Sequence, residues 1–298
     1  MTHGRDGIRS GGDSPRGKES VRDYDLHCHS SVSDGALEPE AVVARAAAQG
    51  VQVLALTDHD EVGGLDAARA AASLAGIAFI DGVEVSVTWR GTTVHIVGLR
   101  IDPRHPVLEQ GLESVRSGRI GRARRIGEEL GAAGIEGAFE GALKYAANPG
   151  LVGRTHFARY LAEIGVVKDT KSAFGRFLVP GKPGYVPHEW AELATAIGWI
   201  RAAGGRAVLA HPGRYSLSAG ALGDLMTEFR AAGGEAIEVI TGSHSPDQYG
   251  MFAEIARDGD FLASRGSDFH APGEGSADFG RLPSLVRGLT PVWHDWQV

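Results

Sequence analysis

The sequence is short of the residues that cross-link a chain or anchor it in a membrane. It contains one cysteine, which excludes an internal disulfide and with it a small disulfide-held scaffold. No apolar run approaches the roughly 18 residues that a membrane helix needs. Residues 1–20 are polar and lack the apolar stretch of a secretory signal. These absences predict a cytoplasmic protein that does not act at a membrane.

Positive charge is also in deficit. The chain has 30 Lys and Arg against 37 Asp and Glu, for a formal net charge of −7. Because binding to a nucleic-acid backbone needs clustered cations, this balance argues against a nucleic-acid coat protein, and we expect no sequence-specific DNA binding. Phosphate substrates remain open, since bound divalent cations reverse the sign of the charge at a site.

Apolar residues are plentiful, at 43% of 298 residues, so the chain can bury a large core. After a predicted flexible tail at 1–20, strand and helix patterns alternate over 21–102 and again over 188–298, which is typical of an α/β protein with a parallel sheet. Strands are predicted at 51–57, 77–80, 83–88 and 93–99, and helices at 39–48, 65–75, 189–203, 219–232 and 246–258. The helical, arginine-rich segment 103–187 is interpreted as an inserted substrate-binding subdomain.

Polar residues that can ligate metals follow the predicted strands, where a barrel of parallel strands builds its active site. Each has an ordinary alternative: Asp34 fits a turn, Glu84 a strand edge, His95 a buried core position and His211 a turn before proline. Taken together, six histidines and three carboxylates at strand ends predict a multinuclear metal site. Its candidate ligands are His27, His29, Asp34, His59, Glu84, His95, His211, Asp268 and His270.

The donor types narrow the choice of metal. Mixed imidazole and carboxylate ligands suit Mn, Zn or Fe, and the absence of thiolate ligands argues against a structural zinc site. Cys28 lies between His27 and His29, and because side chains alternate along a strand it points away from them. We interpret Cys28 as a buried apolar residue rather than a ligand.

These motifs resemble those of the polymerase and histidinol phosphatase (PHP) superfamily, in the same order along the chain. They are an HxH at His27 and His29, a downstream Asp34, the sequence Thr57-Asp58-His59, Glu84, His95, His211-Pro212, and a final DxH at Asp268 and His270. The resemblance implies a distorted (βα)7 barrel with the helical insert. Within the superfamily, the chain is similar to the branch of 3′,5′-nucleoside bisphosphate phosphatases and 5′-to-3′ exoribonucleases.

This branch resemblance extends into the insert, through Val152–Arg159 and Gly181–Val186, although Thr155 stands where many relatives have proline. It implies a phosphoesterase that acts on a small nucleotide, such as adenosine 3′,5′-bisphosphate, or on the 5′ end of short RNA.

The resemblance also implies how the ligands are shared among two or three divalent ions, with Mn favoured over Zn or Fe. His27, His29, Glu84 and Asp268 would hold one ion. Glu84, His95 and His211 would hold a second, and Asp34, His59 and His270 a third. The expected nucleophile is a hydroxide between two metals, which would attack phosphorus in line. Glu84 is expected to hold this hydroxide in place. Asp58 is a candidate for orienting a metal ligand.

The substrate contacts are separate candidates. Arg154, His156, Lys182 and Arg214 are predicted to bind phosphate, although each also fits an ordinary surface position. The basic helix at 116–125 is interpreted as a solvated face, with an RNA track as the alternative. His244 is interpreted as a plain loop residue, with a position at the mouth of the site as the alternative.

Three other functions remain open at this point. They are a phosphatase for a small metabolite of the histidinol phosphate type, a non-catalytic metal-binding accessory domain, and amidohydrolase chemistry on C–N bonds. The branch-like insert argues against the first, and the complete ligand set argues against the second. No lysine follows a predicted strand as a bridging ligand, which argues against the third. The sequence does not indicate an oligomeric state.

Overall fold

The computed structural model describes residue 1, residues 22–275 and residues 277–298. The flexible tail predicted at 1–20 therefore lies, apart from residue 1, outside the described residues. Within them, the strands are β1 (Tyr24–Asp25), β2 (Val53–Leu56), β3 (Ala78–Trp89), β4 (Thr92–Leu99), β5 (Ala191–Glu192), β6 (Arg206–Leu209), β7 (Ala236–Thr241) and β8 (Leu262–Gly266). They form one sheet.

Seven of these strands follow one another around a barrel in the order β1-β2-β3-β4-β6-β7-β8, and β5 pairs with β3 beside this path. The pairs that β4 makes with β3 and β6 are antiparallel. The barrel closes between β1 and β8, where the Leu26 N–H donates to the Arg265 carbonyl over 3.1 Å and Cys28 bridges to Phe269. The predicted α/β class and barrel fold are confirmed.

The α-helices of the same residues are α1 (Pro39–Ala48), α2 (Leu65–Ala75), α3 (Pro106–Arg116), α4 (Arg119–Ala132), α5 (Ala138–Leu143), α6 (Arg154–Glu163), α7 (Thr170–Ala173), α8 (Leu193–Ala202), α9 (Ala219–Ala231) and α10 (Pro246–Asp258). Proline opens α1 at a position that needs no backbone donor. At the start of α10, Ser245 and Gln248 cap each other's backbone N–H groups. The predicted helices at 39–48, 65–75 and 246–258 agree with α1, α2 and α10.

The strands at 77–80 and 83–88, predicted as separate, form the single strand β3. Gly82 lies at the point where a break was expected, and a Cβ atom there would fall 2.7 Å from the Thr57 side chain. Glycine therefore lets β3 pass close to the end of β2 without interruption. The helix predicted at 189–203 begins only at Leu193, because residues 191–192 pair with β3 instead.

The insert has a hydrophobic cluster of its own. Residues between 120 and 186, among them Leu130, Phe157 and Leu161, pack together apart from the barrel core. Helix α3 differs, because its Leu108 and Leu112 belong to the barrel cluster. In the part of the chain that the structure describes, no helix is long and apolar enough to span a membrane.

Candidate metal centre

All nine predicted ligands meet at one end of the barrel. His27 and His29 follow β1, His59 follows β2 and His211 follows β6, while Asp268 and His270 follow β8 and Asp34 lies in the loop before α1. Glu84 and His95 project from β3 and β4, which pair in antiparallel fashion. Four overlapping groups of ligand atoms, each within 4.8 Å, together contain all nine residues.

Glu84 lies at the centre of this cluster and is fully buried. Its Oε1 lies 2.9 Å from His95 Nδ1 and 3.0 Å from His211 Nε2. Its Oε2 lies 2.9 Å from His59 Nδ1 and 3.4 Å from both His27 Nε2 and His29 Nε2. One carboxylate thus faces five imidazoles, an arrangement suited to a ligand that bridges two metals.

The other two carboxylates extend the cluster. Asp268 Oδ1 lies 3.5 Å from His27 Nε2 and 3.3 Å from His29 Nε2. Asp34 Oδ1 lies 3.3 Å from His270 Nε2, and its Oδ2 lies 3.9 Å from His59 Nε2. His29 belongs both to the group that contains Asp268 and to the group that contains Asp34.

The buried polar atoms in this cluster fit bound cations. Several lack a hydrogen-bond partner among the described residues: His29 Nδ1, Asp34 Oδ1, His59 Nδ1, Glu84 Oε2 and His211 Nδ1. Leaving buried polar atoms unsatisfied costs free energy. Imidazole nitrogens and carboxylate oxygens around a shared space are ligands for Mn, Zn or Fe. The residues present can therefore hold divalent metals.

The electrostatics keep the three carboxylates and His29 in the forms that bind metals. Burial alone would raise the pKa values of Glu84, Asp34 and Asp268, but the surrounding histidines hold all three well below their usual range. Burial lowers the pKa of His29 to about 3, assisted by its neighbours His270 and His59. The carboxylates are therefore ionised and His29 is neutral at neutral pH, as coordination requires. The pKa values of His27, His59 and His270 are instead raised by the neighbouring carboxylates despite burial, so these histidines must lose a proton to bind a metal.

The sequence analysis missed Glu238, a buried residue in the middle of β7. Its Oε1 lies 2.8 Å from His27 Nδ1, and its Oε2 accepts the backbone N–H of His211 over 2.7 Å. A proton on His27 Nδ1 leaves Nε2 free to face the cluster. The signal was a lone glutamate in the apolar run Ala236–Ile240, where an unpaired charge would be costly.

Asp58, by contrast, supports a loop. Its carboxylate accepts hydrogen bonds from the Ser30 backbone N–H at 2.8 Å and from the Ser30 and Ser33 hydroxyls, both at 2.6 Å. It therefore holds the turn that carries Asp34. Its predicted orienting role toward a ligand stays a prediction.

Two ligands have an unusual backbone. His211 and Asp268 have φ angles of 28° and 55°, in the left-handed region that residues other than glycine rarely adopt. Such conformations cost on the order of 1–3 kcal/mol each and are typical of functional sites. His244 holds the loop that follows His211, because its Nε2 accepts the N–H of Gly213, two residues after His211, over 2.9 Å. His244 is thus a buried clamp on the loop after β6, where the sequence indicated a plain loop residue.

The cavity that contains most of the predicted metal ligands also has a cationic wall, here called the arginine arm, formed by Arg119, Arg122, Arg154, Arg214, Trp190 and Phe174. The guanidinium groups of Arg119 and Arg122 lie 4.7 and 5.3 Å from the Trp190 ring centre. Arg119 is also held by the Asp60 carboxylate and by the Ser86 hydroxyl at 3.0 Å.

Arg122 and Arg154 lack such a carboxylate. Arg122 Nε donates to the Val186 carbonyl at 3.0 Å, and Arg154 Nη1 to that of Leu178 at 3.3 Å. Neither makes an ion pair with a described residue. Burial lowers the pKa values of both, so bringing these cations together has a cost that an anionic ligand would offset.

The predicted substrate residues divide into two groups. Arg154 and Arg214 line the arginine arm, and Arg214 Nη1 reaches Asp268 Oδ2 over 2.7 Å. His156 is buried outside it and accepts the Gly153 N–H at its Nδ1, at the start of α6. Lys182 is exposed and does not line the cavity.

The basic helix predicted at 116–125 also divides. Arg119 and Arg122 point inward to the arginine arm, whereas Arg124 and Arg125 are exposed. Arg116 donates to the Asp60 carbonyl over 2.8 Å. Thr155 donates its hydroxyl to Asp34 Oδ2 over 2.7 Å.

Comparison with known proteins gives a consistent result. The family model described as PHP domain matches residues 25–146. A 3′,5′-nucleoside bisphosphate phosphatase of Chromobacterium violaceum is 54% identical over 92% of this chain and 96% of its own length. A 5′-3′ exoribonuclease of Haemophilus influenzae is 46% identical over 92% of this chain and 98% of its own. The 5′-3′ exoribonuclease Rnm of Escherichia coli is 44% identical over 92% and 94%.

Solved structures agree with this result. An amidohydrolase from C. violaceum, with bound sulfate and no metal, matches with a TM-score of 0.89 and 54% identity over 91% of this chain and 94% of that one. A protein of Bifidobacterium adolescentis assigned as a metal-dependent phosphoesterase matches with a TM-score of 0.76 and 26% identity, over 91% and 93%. With the nine ligands assembled as its motifs imply, the chain belongs to the PHP family of metal-dependent phosphoesterases.

Proposed function

We propose that this chain removes the 3′-phosphate of nucleoside 3′,5′-bisphosphates and releases 5′-mononucleotides from short 5′-phosphorylated RNA. The observation that carries the proposal is the arginine arm, which lies directly beside the nine-ligand cluster. A single substrate with two phosphates can place one at each. The names of the relatives from C. violaceum and H. influenzae support the same substrate class.

The ligand cluster is the proposed site of hydrolysis. The four groups of ligand atoms support two or three divalent ions, and we favour Mn, with Zn and Fe as alternatives. Bound metals would neutralise charge on the phosphate and activate water for attack. Glu84 is the proposed shared ligand, because its two oxygens face histidines on both sides of the cluster.

The arginine arm is the proposed site for the phosphate that is not cleaved. Arg122 and Arg154 are the main candidates, since neither guanidinium group has a carboxylate partner in the described structure. Guanidinium groups match phosphate oxygens in geometry and charge. Arg119, held by Asp60, and Trp190 keep this cluster rigid. In this proposal, residues 103–187 serve as the substrate-binding subdomain. The cytoplasmic location stays a prediction from the sequence.

One bond is broken in both reactions. Water attacks phosphorus, the bond from phosphorus to O3′ of the first nucleoside breaks, and O3′ takes a proton. A bisphosphate yields a 5′-mononucleotide and phosphate. RNA yields a 5′-mononucleotide and a chain shortened by one, which carries a new 5′-phosphate that the arginine arm can bind in turn.

The test uses Mn-loaded protein with adenosine 3′,5′-bisphosphate and with short 5′-phosphorylated RNA. We expect phosphate and adenosine 5′-monophosphate from the first, and 5′-mononucleotides without free phosphate from the second. A Glu84→Gln control should abolish both activities. If protein shown to contain metal released no product from one of the two substrates, the proposed activity on that substrate would be wrong. Failure with both substrates would contradict the whole proposal.

A further inference from the structure

A second cavity adjoins the metal ligands Asp268 and His270. It has a volume of about 440 Å³, against about 80 Å³ for the cavity that holds the arginine arm and most of the predicted metal ligands. Thr155, Phe174, Arg214, Asp268 and His270 line both, so the two cavities meet at the ligand cluster. Beyond that junction, the second cavity runs between α7 and the loops after β7 and β8. We call it the exit groove.

The exit groove is large enough for a nucleotide. Small-molecule sites typically enclose about 300–1,000 Å³, and this volume falls within that range. The 3′-phosphate of a bisphosphate differs from the first internucleotide phosphate of RNA in one substituent, an oxygen that carries the next nucleotide. With the first nucleotide's 5′-phosphate in the arginine arm, that substituent needs a further space that adjoins the cluster, and the exit groove is such a space.

The charges along the exit groove also favour a phosphate. Its acidic residues are already engaged: Glu274 makes a two-bond pair with Arg159 at 2.9 and 3.0 Å, and Asp169 accepts the Ser172 N–H over 2.7 Å. Lys171 is exposed and lines the groove, and it makes no ion pair within the residues the structure describes. It is available to an anion.

Phe174 supplies an apolar surface where the cavities meet. It is partly exposed and begins the π-helical turn Phe174–Leu178. Such turns are rare in proteins, and those that occur are often found at functional sites. The Arg154 guanidinium lies 5.8 Å from the ring centre on one side. Aromatic rings of this kind stack nucleic-acid bases without regard to sequence.

We propose that the exit groove binds the second nucleotide of an RNA substrate, on the 3′ side of the phosphate that is cleaved. Lys171 contacts the next phosphate along the chain, and Phe174 lies against a base. This inference rests on the proposed function and adds to it the residues that distinguish RNA from a bisphosphate.

The experiment compares wild-type protein with Lys171→Ala, Lys171→Glu and Lys171→Arg. Lys168→Ala is the matched control, because Lys168 is exposed, pairs with Asp169 at 3.6 Å and does not line the groove. We measure kcat/KM for 5′-phosphorylated triadenylate and for adenosine 3′,5′-bisphosphate. The ratio of kcat/KM for triadenylate to kcat/KM for the bisphosphate should fall about threefold in Lys171→Ala and about tenfold in Lys171→Glu. It should recover in Lys171→Arg.

A binding measurement separates this inference from the proposed function. Fluorescence anisotropy of labelled triadenylate on metal-free protein should give a salt slope that is smaller by about 0.7 in Lys171→Ala, as expected for one lost phosphate contact with a single strand. If wild-type protein cleaves neither substrate, the proposed function fails while this slope still tests the groove. An unchanged ratio and slope, or the same losses in Lys168→Ala, would overturn the inference.

Discussion

Glu238 is placed to orient His27, one of the proposed metal ligands. Its carboxylate accepts hydrogen bonds from His27 Nδ1 and from the backbone N–H of His211, so one buried carboxylate orients residues that follow two different strands. Burial alone would lower the pKa of His27, but Glu238, Glu84 and Asp268 raise it well above its usual value. Removing this charge weakens the preference for a proton on Nδ1.

We predict that Glu238→Gln lowers metal affinity by roughly 10- to 100-fold, the usual effect of losing a partner that orients a metal-binding histidine. Isothermal titration with Mn measures this directly. Glu235→Gln is the matched control, because Glu235 pairs with Arg206 near the opposite end of β7. Equal affinities for wild type and Glu238→Gln would show that His27 is oriented by other contacts.

Arg154 carries a second prediction at the scale of single residues. Its charge faces the arginine arm with only a carbonyl as hydrogen-bond partner among the described residues. Arg154→Ala should raise KM for adenosine 3′,5′-bisphosphate by roughly tenfold or more, since a charged hydrogen bond is lost, while metal content stays normal. Arg176→Ala, on an exposed face, should leave KM unchanged. Unaltered kinetics in Arg154→Ala would remove it from the substrate site.

Thr155 connects helix α6 to the metal ligands. Its hydroxyl donates to Asp34 Oδ2, a contact that proline at this position lacks. Thr155→Val keeps the side-chain shape and removes the donor, so we expect metal affinity to fall about fivefold. Titration of metal-free protein with Mn tests this, with Thr170→Val as a control on the neighbouring helix. Identical binding curves for wild type and Thr155→Val would contradict the prediction.

At the scale of elements, the start of α6 is sensitive to pH. His156 is buried, its Nδ1 accepts the Gly153 N–H, and its Nε2 has no hydrogen-bond partner among the described residues. Burial lowers the pKa of His156 to about 4. The unfolded chain, with a histidine pKa near 6.5, therefore binds more protons than the folded one between these values, and stability falls as pH falls through that window.

We predict that this group lowers the free energy of unfolding by up to about 1.4 kcal/mol per pH unit between pH 6.5 and pH 4. His156→Asn keeps an acceptor for Gly153 and cannot take up the proton. Urea unfolding of metal-free protein at pH 7 and pH 5 should show a smaller loss of stability in His156→Asn than in wild type. Equal losses in both proteins would place the pH sensitivity elsewhere.

At the scale of the whole molecule, the ligand cluster joins strands that are far apart in sequence. Its residues extend from His27 to His270, and they bring β1, β2, β3, β4, β6 and β8 to one point. Metals that bind the folded chain and not the unfolded one stabilise it by mass action, by about 2.7 kcal/mol at 100 times the Kd.

Chelation of the metals should therefore lower Tm by roughly 5–10 °C, given about 2–4 °C per kcal/mol for a protein somewhat smaller than this one. Differential scanning fluorimetry with and without EDTA measures the shift, and added Mn should restore it. Glu84→Gln should show a much smaller response to both. If the Tm of wild-type protein did not change on addition of EDTA, this would argue against metal binding in the folded state.

The α/β class, most of the barrel's helices and the nine residues that meet at one end of the barrel could all be predicted from the sequence. Strand and helix periodicity is a local property, and metal ligands at strand ends are recognisable because their types and order are unusual. Local pattern was also wrong in one place: separate strands were predicted at 77–80 and 83–88, whereas β3 is continuous through Gly82, where the close approach of Thr57 requires a glycine.

Tertiary structure alone decided how these residues act together. Glu238 looked like part of an apolar strand until the barrel closed and brought His27 and the His211 backbone against it. Arg119 and Arg122 were part of a predicted solvated face, and His156 a predicted phosphate contact, until the packing of α4 and α6 fixed which side chains reach the cavity. Contacts between residues some 200 positions apart depend on how the elements pack, and no local pattern in the chain encodes that.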